Sequence, residues 1–278
     1  MSETKKTNVL YLHHVCLVGL MMMVFLFSSC KKSAEVSRTA VVAHRGYWNC
    51  AEAGYARNSV AALRQAGEAG FEGTEFDVNM TADSVLLVYH DSSIGGKRIE
   101  DNPYASFADV RLANGEAVPV LDSFLLAAAD YPATQLVFEM KPHSSPERED
   151  AAIALSLQSL ERYGLMKPER VMFISFSLHV CEQIARLAPG FTVQYLGSDI
   201  RPAVLKEKGI SGIDSHQNVF LTDSTWLSEA RDAGMSANVW TVNDDSLMQV
   251  FFDMGVDQLT TDRPDAARAL LLSCDEKK

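Results

Sequence analysis

From residue 39 onward, short runs rich in β-branched residues alternate with segments whose apolar positions recur at helical spacing, the pattern of parallel strands crossed by helices. The runs predict strands at Thr39–Ala43, Gly73–Val78, Gln135–Met140, Arg170–Phe176, Thr192–Leu196, Gly212–Asp214, Ser236–Thr241 and Asp257–Thr260. The segments between them predict helices at Ser59–Ala69, Asp122–Ala129, Glu147–Tyr163, Leu178–Leu187, Ile200–Lys208, Ser224–Ala233 and Ser246–Met254, with a last one at Asp265–Leu272. Asn58 or Ser59 can cap the first helix, and Gly70, Gly164, Gly209 and Gly234 stand where helices should end. Eight strands, each followed by a helix, specify one (β/α)8 TIM barrel, a fold of about 250 residues. An extra extended piece, Val85–Tyr89, and an aperiodic loop, Asp91–Pro119, follow the second strand and are expected to form an active-site insertion.

Upstream of the barrel the pattern changes. Lys5 and Lys6 precede an apolar run, Val15–Phe27, that stops at Ser28-Ser29-Cys30. The run is shorter than the roughly 20 residues a membrane-spanning helix needs, and it ends at small residues, as a secretory signal does. Residues 1–30 resemble a bacterial lipoprotein signal with Cys30 as the lipidated residue, and 31–38 form a short tether to a single barrel at 39–278. The expected location is therefore outside the inner membrane, anchored in the cell envelope, in the periplasm or at the outer membrane, by lipid alone.

Composition is that of a globular protein, 47% hydrophobic and 22% charged. The net charge is −11, and without residues 1–29 there remain 23 basic against 35 acidic residues. With no basic stripe interleaved with aromatics, nucleic acid is not an expected partner, and no protein partner is inferred. Beyond Cys30 only Cys50, Cys181 and Cys274 remain, without metal-site spacing, so neither a disulfide framework nor zinc chemistry is expected.

In such barrels the chemistry gathers at the carboxyl ends of strands. The first strand runs into His44-Arg45-Gly46. In the second, alternation sends Glu75 and Asp77 to one side and Phe76 and Val78 to the other; two carboxylates on one face either stand at a solvated strand end or, turned inward, call for a cation or for protonation. His90-Asp91 ends the extra extended piece, and Glu139 and Lys141 share a face at the end of the third barrel strand. Two histidines, three carboxylates and two cations thus converge on neighbouring strand tips.

These motifs, in this order, resemble the glycerophosphodiester phosphodiesterase family: His44-Arg45-Gly46, Glu75-Phe76-Asp77-Val78, His90-Asp91 and Glu139-Met140-Lys141. A C-terminal signature is also similar, Val239-Trp240-Thr241-Val242-Asn243 followed by Gly255–Pro264. The resemblance implies that Glu75, Asp77 and Glu139 hold one divalent cation, Mg²⁺ or Ca²⁺, and that His44 and His90 are the acid–base pair. It further implies that Arg45 and Lys141 bind phosphate oxygens of a small phosphodiester and that Trp240 lines the substrate pocket. The residues leave open which histidine starts as the base; the resemblance favours His44, with His90 as leaving-group acid. The implied activity is hydrolysis of glycerophosphodiesters to glycerol phosphate and an alcohol. A phospholipase-like action on intact or lyso-lipids and a non-catalytic lipoprotein binding a phosphorylated ligand are the alternatives. The chain departs from the family's Pro-Glu-Asn-Thr-like segment, having Ala56-Arg57-Asn58-Ser59, where Arg57 could weaken the metal, contact phosphate or face solvent.

Overall fold

The computed structural model describes residues 39–275; the expected signal segment, Cys30 and the tether lie outside them. Eight strands, Ala40–Ala43 (β1), Gly73–Met80 (β2), Gln135–Met140, Val171–Ser175, Thr192–Tyr195, Gly212–His216, Ser236–Trp240 and Gln258–Thr261, form a closed parallel barrel. Closure is made by β1, which pairs with the last strand at Ala40↔Gln258 through Ala43↔Thr261 and with β2 at Val42↔Gly73. The strand boundaries lie within two residues of those expected from the hydrophobic runs.

Alternation along these strands separates two kinds of core. On the outer face Phe76, Phe138 and Phe173 form an aromatic row, with ring centroids 4.9 and 5.7 Å apart, and Phe76 also meets Phe124 at 4.6 Å. Each such pair adds about 0.5–1.5 kcal/mol beyond burial and binds sheet to helices. The inner face begins with a polar layer: Gln194 Nε2 donates to Ser236 Oγ at 3.0 Å and to Gln258 Oε1 at 3.3 Å, and Gln258 Nε2 donates to Gln135 Oε1 at 3.2 Å. Above it lie Val42, Val137, Met172, Ile174 and Leu196, against which Trp240 packs. Charged groups occupy the rim.

The segment after β2 is more ordered than its aperiodic sequence suggests. Leu86–Val88 (β3) pairs antiparallel with β2, a two-stranded hairpin follows at Ser93–Ile94 and Lys97–Arg98, and two 3₁₀ turns precede Phe107. Leu87, Ile94, Ile99, Phe107 and Val118 give it a small core of its own. Its Glu116 carboxylate accepts the free N–H groups of Val60 (2.9 Å) and Ala61 (3.1 Å) at the start of the helix Val60–Glu68, while Ser59 Oγ caps Ala62 at 2.9 Å. A further short helix, Gln217–Thr222, lies where a loop was expected. Among the described residues no helix is long and apolar enough to cross a membrane, and Cys50 and Cys181 are both free thiols.

Candidate active site

β1 delivers His44 and Arg45 to the rim, where the chain turns at once. Arg45 (φ 56°) and Gly46 (φ 80°) are both left-handed, a conformation that costs a non-glycine residue about 1–2 kcal/mol. A Cβ on Gly46 would stand 2.7 Å from Ala62 Cβ and 2.8 Å from the Ala62 carbonyl carbon, so only glycine lets the helix approach. Glu75 holds the turn: its carboxylate accepts the Arg45 N–H at 2.7 Å, and its carbonyl accepts the Gly46 N–H at 3.0 Å.

On β2 the inward residues are Glu75 and Asp77, and register sets Asp77 beside Glu139. The three carboxylates are 3%, 1% and 7% exposed, and one oxygen from each lies within 4.8 Å of the others. Lys141 Nζ bridges Asp77 (3.0 Å) and Glu139 (2.6 Å), and Arg45 Nε lies 3.7 Å from Asp77. Asn58 clasps Asp77 twice, donating from Nδ2 to Oδ2 at 2.7 Å and accepting the Asp77 N–H at 3.2 Å. Glu75 Oε1 is buried without a hydrogen-bond partner among the described residues.

Burial and the charges of Asp77 and Glu139 hold the Glu75 carboxyl well above the usual carboxylate range. Burial and Asp77 push Glu139 up to about 8 against the pull of Lys141. Asp77 goes the other way: burial is outweighed by Lys141, His90, Asn58 and Arg45, and the group is held low. Such a cluster suits a hard divalent cation, since all its donors are oxygen, one is orphaned, and a positive ion removes the repulsion that raises two of them.

The histidines are each held through Nδ1. His44 meets Asp262 Oδ1 at 2.8 Å, and the same carboxylate accepts from Trp48 Nε1 at 3.0 Å and Asn243 Nδ2 at 2.8 Å. These contacts overcome burial and hold Asp262 low. His90 meets Asp91 Oδ1 at 2.7 Å; burial, with Lys141 and Arg45, outweighs Asp77 and Asp91 and lowers it. An imidazole so held at Nδ1 keeps its other nitrogen free to take up or release a proton.

Every site residue expected from the barrel sequence is brought to this place. His44, Arg45, Glu75, His90, Glu139, Lys141 and Trp240 line one cleft, and Asp77 joins them through Lys141. The opposite wall is Ile174, Phe176 and Leu196 with Trp240, whose Nε1 donates to the Asp214 carbonyl at 3.0 Å. Four residues had no such expectation attached: Asp262, Asn243, Asn58 as a partner of Asp77, and Asp214. Asp214 is 1% exposed, and its Oδ1 lacks a partner among the described residues; burial and Glu139 hold it well above the usual range. Its sequence signal was available, an acid at the end of a barrel strand. Arg57 is exposed and lies over the Trp48 ring, 4.1 Å from its centroid, rather than among the carboxylates.

Comparison with known proteins agrees with this geometry. Residues 44–266 match the model of the glycerophosphoryl diester phosphodiesterase family. A glycerophosphodiester phosphodiesterase from Parabacteroides distasonis, known from its crystal structure, is 42% identical with a TM-score of 0.82, over 86% of this chain and 99% of that one. An Oleispira antarctica phosphodiesterase solved with the product sn-glycerol-3-phosphate is 25% identical with a TM-score of 0.73, over 84% and 97%. The glycerophosphodiester phosphodiesterase of Bacillus subtilis is 25% identical over 94% of this chain and 97% of its own length. The chain belongs to the glycerophosphoryl diester phosphodiesterase family and is a phosphoric diester hydrolase.

Proposed function

We propose that the protein hydrolyses small glycerophosphodiesters to glycerol phosphate and an alcohol, using His44 and His90 as an acid–base pair and one divalent cation, Mg²⁺ or Ca²⁺. The observation that carries this is two histidines, each oriented by a carboxylate, facing one cleft with three clustered carboxylates and two cations. Glu75, Asp77 and Glu139 would hold the cation, which when bound supplies positive charge to the phosphate oxygens as the pentacovalent state develops. Arg45 presents forked donors and Lys141 a point charge to the same oxygens.

His44 takes the proton from the attacking hydroxyl, either water or the glycerol 2-hydroxyl, and Asp262 stabilises the imidazolium that forms. His90 gives its proton to the departing alkoxide. When the 2-hydroxyl attacks, the product is a cyclic phosphate; water then opens it with the histidine roles reversed, so that both return to their starting states. The Oleispira antarctica enzyme's complex with glycerol phosphate supports a glycerol-sized product in such a cleft. The envelope location through a lipid on Cys30 is part of the same proposal, and radiolabelled fatty acid should label the parent but not Cys30→Ser.

Full-length protein in detergent should release glycerol phosphate from glycerophosphocholine with Mg²⁺ or Ca²⁺ and stop with EDTA. His44→Ala and His90→Ala should each lower kcat by about 10²–10⁴-fold. Absence of turnover on a panel of deacylated diesters with Mg²⁺, Ca²⁺ or Mn²⁺ overturns the proposal. Faster turnover of lyso- or diacyl-lipids would move it to the phospholipase reading.

A further inference from the structure

A cation-lined groove leaves the active cleft on the His90 side. Arg45 and His90 line the cleft and also the first part of the groove, together with Arg57, Asn58, Tyr89 and Asp91. Arg57 and Tyr89 then continue into a second part, where Trp48, Tyr55 and Arg111 join them. In a chain of net charge −11, two exposed guanidiniums along one path out of the active site oppose the global field.

Arg57 is placed there by a chain of contacts that begins at the catalytic centre. Asp262, which orients His44, also accepts the Trp48 indole N–H at 3.0 Å, and that ring carries the Arg57 guanidinium on its face at 4.1 Å. Cation–π contact holds the guanidinium in position without neutralising it. Among the described residues it has neither a hydrogen bond nor a carboxylate partner. The groove's own acid, Asp91, is engaged by His90 Nδ1 at 2.7 Å. Arg111 is anchored through one nitrogen, donating to the Ala108 and Val110 carbonyls at 2.9 and 3.0 Å, which leaves the other side of its fork available. The rings of Tyr55 and Tyr89 flank the path.

We infer that this groove is the leaving-group subsite and that it selects alcohols carrying their own negative charge, above all a phosphorylated polyol. The inference rests on the proposed role of His90 as the acid that protonates the leaving alkoxide, because His90 stands at the junction of cleft and groove. A cationic alcohol such as choline meets Arg57 and Arg111 as like charges; a second phosphate meets them as partners suited to forked donors.

The test compares kcat/KM of the full chain for glycerophosphoinositol 4-phosphate, glycerophosphoglycerol and glycerophosphocholine, whose leaving groups are anionic, neutral and cationic. The anionic diester should exceed the cationic one by about tenfold, the scale of one charge-assisted contact at a partly solvated site. Arg57→Glu should bring that ratio to or below one, Arg57→Gln should give an intermediate value, and Arg111→Glu should lower the ratio independently. Turnover of all three diesters without a charge preference, or a preference that survives Arg57→Glu, overturns the subsite while leaving the hydrolase reading intact. No turnover of any of the three by the parent overturns both.

Discussion

Gly46 and Asn58 show how much of the site is backbone geometry that side-chain chemistry alone does not announce. Gly46→Ala adds a methyl against Ala62 at a positive φ, so it should lower stability by about 2 kcal/mol or more, read as a shift of the urea midpoint. A loss under 0.5 kcal/mol would mean that the turn relaxes freely, and the tight-turn account would fail. Asn58→Ala removes both ends of the clasp on Asp77 while leaving the Ser59 cap, and should weaken divalent-cation affinity about 10- to 100-fold, as outer-shell substitutions do. Calorimetric titration with Ca²⁺ or Mg²⁺ checks it; unchanged affinity would reduce Asn58 to a loop residue. The sequence showed the inward carboxylates because alternation fixes them, and it showed the histidines because they end strands. It did not show that Asn58 turns inward, since a residue before a helix reads as a cap until its φ is known. Asp262 stayed unassigned because its partner His44 is 218 residues away, a pairing that only barrel closure creates.

Elements were legible where periodicity is strong and illegible where order is local. The barrel strands stood out because short runs rich in apolar and β-branched residues recur between helical segments, and β2, Gln135–Met140 and Val171–Ser175 are buried on both faces. The insertion after β2 lacks such a run: its core residues Leu87, Ile94, Ile99, Phe107 and Val118 are spread over turns and strands of two or three residues that no period describes. Yet Glu116 makes it part of the site's foundation by capping the helix that follows Asn58 and Ser59. Phe107, 1% exposed at the centre of this small core, is the residue to probe. Phe107→Ala should cost about 3 kcal/mol within the insertion and speed proteolytic cleavage in residues 91–119, while the barrel core keeps its slow hydrogen exchange. Uniformly faster exchange across barrel and insertion would show a single cooperative unit instead.

At the scale of the molecule, the barrel concentrates carboxylates where water is excluded, and stability should record that through pH. Glu75, Glu139 and Asp214 have folded-state values above those of the unfolded chain, Glu139 at about 8. Folding therefore takes up protons, and the stability these groups contribute is full below the unfolded values near 4 and is lost as pH rises, for Glu139 as pH passes about 8. Asp77 and Asp262 are held low and act with the opposite sign, their contribution disappearing only in stronger acid. Metal-stripped protein should thus lose several degrees of Tm between pH 5 and pH 8. A divalent cation favours the ionised carboxylates and competes with their protons, so the gain in Tm on adding saturating Ca²⁺ or Mg²⁺ should be larger at pH 8 than at pH 5. Glu139→Gln should flatten part of the metal-free pH profile and shrink the cation's effect together, because the same carboxylate contributes to both. Asp214→Asn should flatten the profile while leaving much of the cation's effect, since Asp214 lies outside the three-carboxylate cluster. An equal cation-induced gain at both pH values would show that the ion binds elsewhere and that the buried carboxylates do not hold it.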